Sequence, residues 1–189
     1  MTRAYAETMF SKAAKRLQER YGSRAQYERL AAMGTREDAL GPEEREFIGQ
    51  RDSMYMASIT ENGWPYVQHR GGPKGFLRVL DGRTLAFADF AGNKQYITAG
   101  NLETNDRVAL FLMDYPNQAR LKIIGHARVV EGDAELEARV RIEGYKAKVE
   151  WVVTIAVKAY DWNCSQHITP RWTREEIEAM MASSAGGGV

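Results

Sequence analysis

Apolar residues recur every three or four positions near the start of the chain. Ala6, Met9, Phe10, Ala13, Leu17 and Tyr21 form one stripe, which predicts an amphipathic helix. Gly22 suits the end of that helix, and Ser23 suits the cap of a second one holding Tyr27, Leu30 and Ala31. Gly41-Pro42-Glu43-Glu44 predicts a short third helix. Proline fits its first position, the two carboxylates fit its positive end, and Phe47 and Ile48 would face the core.

From Ser53 onward the pattern changes to short runs separated by turn residues. Met54 to Thr60 and Trp64 to Arg70 predict two strands joined by Glu61-Asn62-Gly63, a hairpin turn signal. After the break Gly71-Gly72-Pro73-Lys74-Gly75, a second hairpin is expected from Phe76–Leu80, the turn Asp81-Gly82, and Thr84–Asp89. Asn93 to Thr104 predicts a helix. Val108–Met113, Leu121–Val130 and Trp151–Val157 predict strands, with a helix over Ala134–Ile142 between the last two. Thr173 would cap a last helix with Glu175 and Glu176 in its first turn. Ser183 to Val189 is small and Gly-rich, which predicts a disordered tail. No internal repeat is present. Short strands in hairpins with helices at the ends predict a mainly β fold, a small antiparallel barrel with helical flanks. The expected organisation is a helical extension over residues 1–40, a barrel domain over 41–182 and the tail over 183–189.

Composition narrows the function classes. The chain has 189 residues, 44% hydrophobic and 27% charged, enough to build a core without covalent staples. Its 26 Lys and Arg against 25 Asp and Glu argue against a nucleic-acid or membrane-surface binder, which would need a basic excess. A single Cys excludes an intramolecular disulfide and a Cys-based zinc site. No apolar run approaches the ~20 residues of a membrane span, and charge stands where a signal peptide would be apolar. A cytoplasmic protein is expected.

Candidate chemistry is sparse. His69, His126 and His167 have no second ligand at helical spacing, so no metal site is predicted. Cys164 lacks a basic neighbour that would activate it. No Gly-x-Ser-x-Gly elbow, P-loop or Gly-x-Gly-x-x-Gly occurs. What remains is a set of phosphate-capable groups near strand ends. Gln68-His69-Arg70 precedes the Gly-rich break. Gly92-Asn93-Lys94-Gln95 stands at a strand-to-helix junction, where free N–H groups and a lysine suit a phosphate. Arg120 and Lys122 share one face of a strand start. Each group taken singly is also what a solvated strand end looks like, so the pattern leaves both readings open.

Three stretches narrow the choice. They are Met54-Tyr-Met-Ala-Ser-Ile-Thr-Glu-Asn-Gly-Trp-Pro-Tyr-Val-Gln-His-Arg-Gly-Gly-Pro, Leu85-Ala-Phe-Ala-Asp-Phe-Ala-Gly-Asn-Lys-Gln-Tyr, and Gly100-Asn-Leu with Asn105-Asp-Arg-Val-Ala-Leu-Phe. In this order they resemble the pyridoxamine 5'-phosphate oxidase-related, FMN-binding split-barrel family, from about Phe47 to Val130 and more loosely to Arg171. The resemblance implies a six-stranded antiparallel split barrel and a homodimer with FMN at its interface. It implies that Gln68, His69 and Arg70 border the flavin. Ala88, Asp89 and Phe90 would line the isoalloxazine and ribityl chain, and Asn93, Lys94 and Gln95 would bind the phosphate. Arg120 would touch the ring, from the partner subunit in one arrangement, with Lys122 beside it. Trp162 and Arg171 would approach the flavin, and His167 would face the substrate side.

The chain departs from the family at two places. Family oxidases carry Arg-x-His-Asp-Arg near the C-terminus to handle substrate, and this chain has Trp162-Asn-Cys-Ser-Gln-His-Ile-Thr-Pro-Arg171 instead. Gly71 to Gly75 reads as an insertion. Both depart from a pyridoxamine phosphate specificity. The implied activity is an FMN-dependent oxidoreductase taking a hydride from a nicotinamide or a small organic substrate. The alternatives are a non-catalytic flavin store, sensor or carrier, and a haem- or deazaflavin-binding split barrel with His69 or His167 on iron. The N-terminal stripe is expected to pack on the barrel or the partner. Glu7 and Glu19 stand among Lys12, Lys15 and Arg16, which does not suit a membrane-surface helix.

Overall fold

The computed structural model describes residues 1–33, 38–162 and 165–185. Cys164 therefore lies outside the described residues, as do the last four residues of the tail. The chain runs α1 (Arg3–Met9), α2 (Lys12–Arg20), α3 (Arg24–Met33), α4 (Pro42–Gly49), β1 (Ser53–Ile59), β2 (Pro65–Gly71), β3 (Arg78–Val79), β4 (Thr84–Phe90), α5 (Ile97–Thr104), β5 (Arg107–Asp114), β6 (Ala119–Val130), α6 (Ala134–Val140), β7 (Val149–Trp162) and α7 (Arg174–Ala185).

The strands form one seven-stranded sheet in the order β2-β1-β5-β6-β7-β4-β3, and every ladder in it is antiparallel. Two features differ from the expected six-stranded barrel. The Phe76–Leu80 strand shrinks to the two residues of β3, and both of its rungs are used on β4. Among the described residues no ladder joins the outer strands β2 and β3, so the sheet curls without closing. The Gly71–Gly75 link is bonded elsewhere: Gly72 N–H donates to Asp52 O at 2.9 Å and Gly75 N–H to Arg51 O at 3.0 Å. A seam is left between β2 and β4.

The core follows from strand alternation. Met54 and Met56, Leu110 and Leu112, Leu121 and Ile123, and Val153 and Ile155 all point inward and are buried. Phe76 and Phe87 fill the middle, and Ile48 of α4 closes one end, as its sequence position predicts. Trp162 Nε1 donates to Glu44 Oε1 at 2.7 Å, which ties α4 to the end of β7. On the opposite face Ala86 and Ala88 pack under Leu136 and Val140 of α6. The outward residues of β1 and β2 are not covered: Tyr55 is 42% exposed and Val67 60%.

The helical extension differs from the single stripe of the sequence. The helix breaks at Phe10, and Ser11 starts a new one by accepting from Ala14 N–H at 3.1 Å. Helix α1 packs on the sheet through Tyr5 against Ile124 and Ala159, whereas α2 buries none of its residues. Met9, Leu17 and Tyr21 are exposed. At the other end α7 continues to Ala185, so the first residues of the expected disordered tail are helical.

Where β6 shifts register against β7 at Ile124/Gly125, the backbones approach so closely that a Cβ on Gly125 would lie 2.4 Å from Ala156 O. Gly49, at the end of α4, has open space on that side: a Cβ there would meet nothing within 4 Å. Gly125→Ala should therefore cost about 1–3 kcal/mol in urea unfolding, and Gly49→Ala should cost nothing measurable. Equal midpoints for the two variants would contradict this account of the bulge.

Candidate functional site

A cleft of about 200 Å³ opens at the seam between β2 and β4. Tyr66, Gln68 and Arg70 enter it from alternate positions of β2. Asp89 and Phe90 enter from the end of β4, and the chain then turns through Gly92, Asn93, Lys94 and Gln95 into α5. The predicted helix start at Asn93 moves to Ile97 because Lys94 and Tyr96 both take left-handed backbone, with φ of 57° and 53°. Non-glycine residues seldom adopt this conformation, and it occurs where the surrounding structure dictates it. The turn lifts the exposed Lys94 beside the N-terminus of α5, and no side chain caps that helix. The first-turn N–H groups of α5 therefore have no intrahelical acceptor and no capping side chain.

A polar network lines the floor. Arg70 Nη1 donates to Asp89 Oδ1, and the two side chains keep only 16% and 13% of their exposure. Trp151 Nε1 donates to Asp89 Oδ2 at 3.0 Å. Burial raises the Asp89 pKa above the ordinary carboxylate value; Arg70 and Trp151 oppose that shift without cancelling it. Arg70 Nε is buried with no hydrogen-bond partner. Thr98 Oγ1 donates to Gln68 Oε1 at 2.9 Å, and Tyr96 OH donates to Glu150 Oε1 at 2.9 Å. The cleft therefore offers a cation, a helix N-terminus and two aromatic walls, Tyr96 and Trp151, 5.4 Å apart.

A model of the pyridoxamine 5'-phosphate oxidase family matches residues 40–166. The chain belongs to this family. Its fold is similar to that of a protein from Lactobacillus delbrueckii assigned as a pyridoxamine 5'-phosphate oxidase. The two are 21% identical with a TM-score of 0.51, over 67% of this chain and 97% of that one. HupZ of Group A Streptococcus is 18% identical with a TM-score of 0.50, over 70% of this chain and 99% of that one. No curated protein matches the chain.

In this family member seven of the expected site residues gather in the cleft, two line a second groove and the rest stand apart. Gln68, Arg70, Asp89, Phe90, Asn93, Lys94 and Gln95 come together in the seam cleft. Ala88 lies beneath it, buried against α6, and His69 points outward, edge-on to Tyr55 with ring centroids 5.8 Å apart. Trp162 and Arg171 line a different groove of about 730 Å³ beside α4, together with Tyr115 and Trp172. Arg171 stacks on the Tyr115 ring, its Cζ 5.0 Å from the centroid. Arg120 opens β6, its Nε buried without a partner. Lys122 pairs with Asp161 at 3.1 Å and lies 5.0 Å from the Tyr5 ring centroid, so its charge is used within the fold. His167 is exposed in a left-handed turn. Among the described residues no group of three His, Cys, Asp or Glu side chains is placed to hold a metal ion. In the same residues no helix is long and apolar enough to cross a membrane.

Sequence reasoning missed Tyr66, Tyr96, Thr98, Glu150 and Trp151 in the cleft. Trp151 stands 62 residues from Asp89, and its role depends on the β4–β7 register that pairs the two.

The groove has a titration of its own. Arg51 Nη2 donates to Asp114 Oδ2 at 2.8 Å, and Asn117 donates to the same carboxylate from its backbone N–H at 3.1 Å. Burial alone would raise the Asp114 pKa, but the bonds from Asn117 and Arg51 outweigh it and lower the value. A lowered folded-state pKa stabilises above the unfolded pKa, and that stability is lost as pH falls through the folded one. Asp114→Ala should be less stable than the parent at pH 7, with the gap closing as pH drops below about 4. A pH-independent gap in denaturant melts would contradict the assignment.

Proposed function

We propose that the chain is an FMN-binding flavoprotein, a homodimer with one flavin at each seam cleft, acting as an oxidoreductase on a small molecule. The observation that carries this reading is the pairing of Lys94 with the uncapped start of α5, inside the stretch matched by the family. A phosphate needs such a site: a cation and oriented N–H groups at a positive helix end. The buried, partnerless Nε of Arg70 also favours a ligand, because a desolvated donor costs about 1–3 kcal/mol if left unsatisfied.

Lys94, Asn93 and the first turn of α5 would hold the phosphate. Gln68, Arg70, Asp89 and Phe90 would border the ribityl chain and ring, with Tyr96 and Trp151 excluding water from one side. Bound FMN would supply the hydride and electron transfer, and the protein its position and electrostatics. Asp89 accepts from Arg70 and Trp151, so its role is to orient the arginine. Arg120, Trp162 and Arg171 stand apart from the cleft in one chain, and we assign them to the partner's flavin. The exposed outward face of β1 and β2, with Tyr55 and Val67, would be the surface the partner covers.

Two measurements test this. FMN titrated into the protein should quench its fluorescence on saturable binding, and Lys94→Ala should weaken that binding at least several-fold. Unchanged affinity would refute the phosphate assignment. Steady-state turnover with NADH or NADPH and a panel of acceptors should show flavin-dependent oxidation. A protein that binds FMN and turns over none of them would be a flavin store or carrier.

A further inference from the structure

Two helical arms leave the sheet with their apolar sides uncovered. In α2 no residue is buried, Leu17 is 53% exposed, and Tyr21 just beyond the helix is 74% exposed. Leu30 of α3, whose Tyr27 packs edge-on against Phe10 at the break before α2, is exposed as well. At the other end of the chain, α7 also has no buried side chain among its described residues. Ile177 and Met181 lie four positions apart on one face of it, and Met181 is 68% exposed. Exposed apolar residues in such helical register mark an interaction surface.

The two arms are opposite in charge. The α2 segment Lys12–Arg20 carries four basic residues and one acidic one. The α7 segment Arg174–Ala185 carries three acidic residues and one basic one. Complementary potentials of this kind select a partner and fix its orientation.

Both arms are rooted at the border of the same outward sheet face. Tyr55 pairs across β1–β5 with Phe111, and Phe111 pairs across β5–β6 with Lys122. Lys122 lies over Tyr5 of α1, so the α1–α2–α3 arm begins at one margin of that face. Tyr115 follows directly on β5, and Arg171 stacks on it three residues before α7 begins. The second arm therefore begins at another margin.

We propose that the α2–α3 hairpin of one protomer docks on α7 of a second copy, so that the dimer is clasped by two exchanged arm contacts. The occupant of each exposed arm is the oppositely charged arm of the other chain. This rests on the homodimer of the reading above and not on its cofactor. The contact would carry Leu17 and Tyr21 against Ile177 and Met181, with Lys12, Lys15 and Arg16 facing Glu175 and Glu178.

The test is a photocross-link in the full-length protein. Met181→p-benzoylphenylalanine is prepared in light and heavy isotopic forms, which are mixed, allowed to exchange subunits and irradiated. The expected product joins position 181 to peptides within residues 12–30, half of it of mixed isotope. Glu175→Lys with Glu178→Lys should reduce that product at least several-fold, and Lys12→Glu with Lys15→Glu should restore it. Single-isotope products, products to any other segment, or none at all would overturn the proposal. Sedimentation separates the two failures. A dimer that binds FMN without the cross-link refutes the clasp alone, whereas a monomer refutes the clasp and the shared site together.

Discussion

The ion pair of Arg70 and Asp89 crosses the seam at which, among the described residues, the backbone ladder stops. Strand β2 ends one side of the sheet and β4 lies near the other, and this side-chain pair spans the seam. Burying a charge pair is costly unless its remaining lone pairs are satisfied, and here Trp151 supplies the second bond to Asp89. The pair fixes the mouth of the cleft, because the arginine and the acid come from its two walls. It also consumes the charge of Asp89, so the cation that can face an anionic ligand is Lys94 beside the open end of α5, with the Glu150 carboxylate turned to Tyr96 on the same cleft. Removing either partner would leave an uncompensated buried charge and would deform the wall that the other one builds.

A single chain holds only part of what the family resemblance implies. The cleft collects residues from β2, β4 and the turn into α5. Trp162 and Arg171 sit at the end of β7 and beyond it, in a groove behind α4. Their separation is why we assign them to a partner's flavin in the proposed dimer, whose interface would take up the exposed Tyr55 and Val67. The proposed dimer would turn two half-sites into one and cover that apolar face at the same time.

Much of the sheet could be read directly from the residues. Met54–Ile59, the strand that returns after the Asn62-Gly63 turn, and the apolar run after Val108 all appear as strands where expected. Those patterns arise from one buried face, which is a local constraint. The helix boundaries were less legible. The break at Phe10 leaves the apolar spacing intact, so periodicity cannot report it. Lys94 and Tyr96 adopt left-handed backbone without the glycine or asparagine that would signal it, and this shifts the start of α5. The phosphate-capable turn was visible as composition, but the partners of Asp89 and Gln68 were not, because they are set by register and by the curl of the sheet. Lys122 shows the converse. Its spacing from Arg120 is that of a site residue, yet the nearby Asp161 and Tyr5 engage it inside the fold.

Flavin binding is tested most directly by a visible absorption spectrum of the protein after incubation with FMN and removal of free flavin by gel filtration. The predicted result is a flavin spectrum that co-elutes with the dimer at one flavin per chain. A folded protein that elutes without flavin would contradict the shared flavin site.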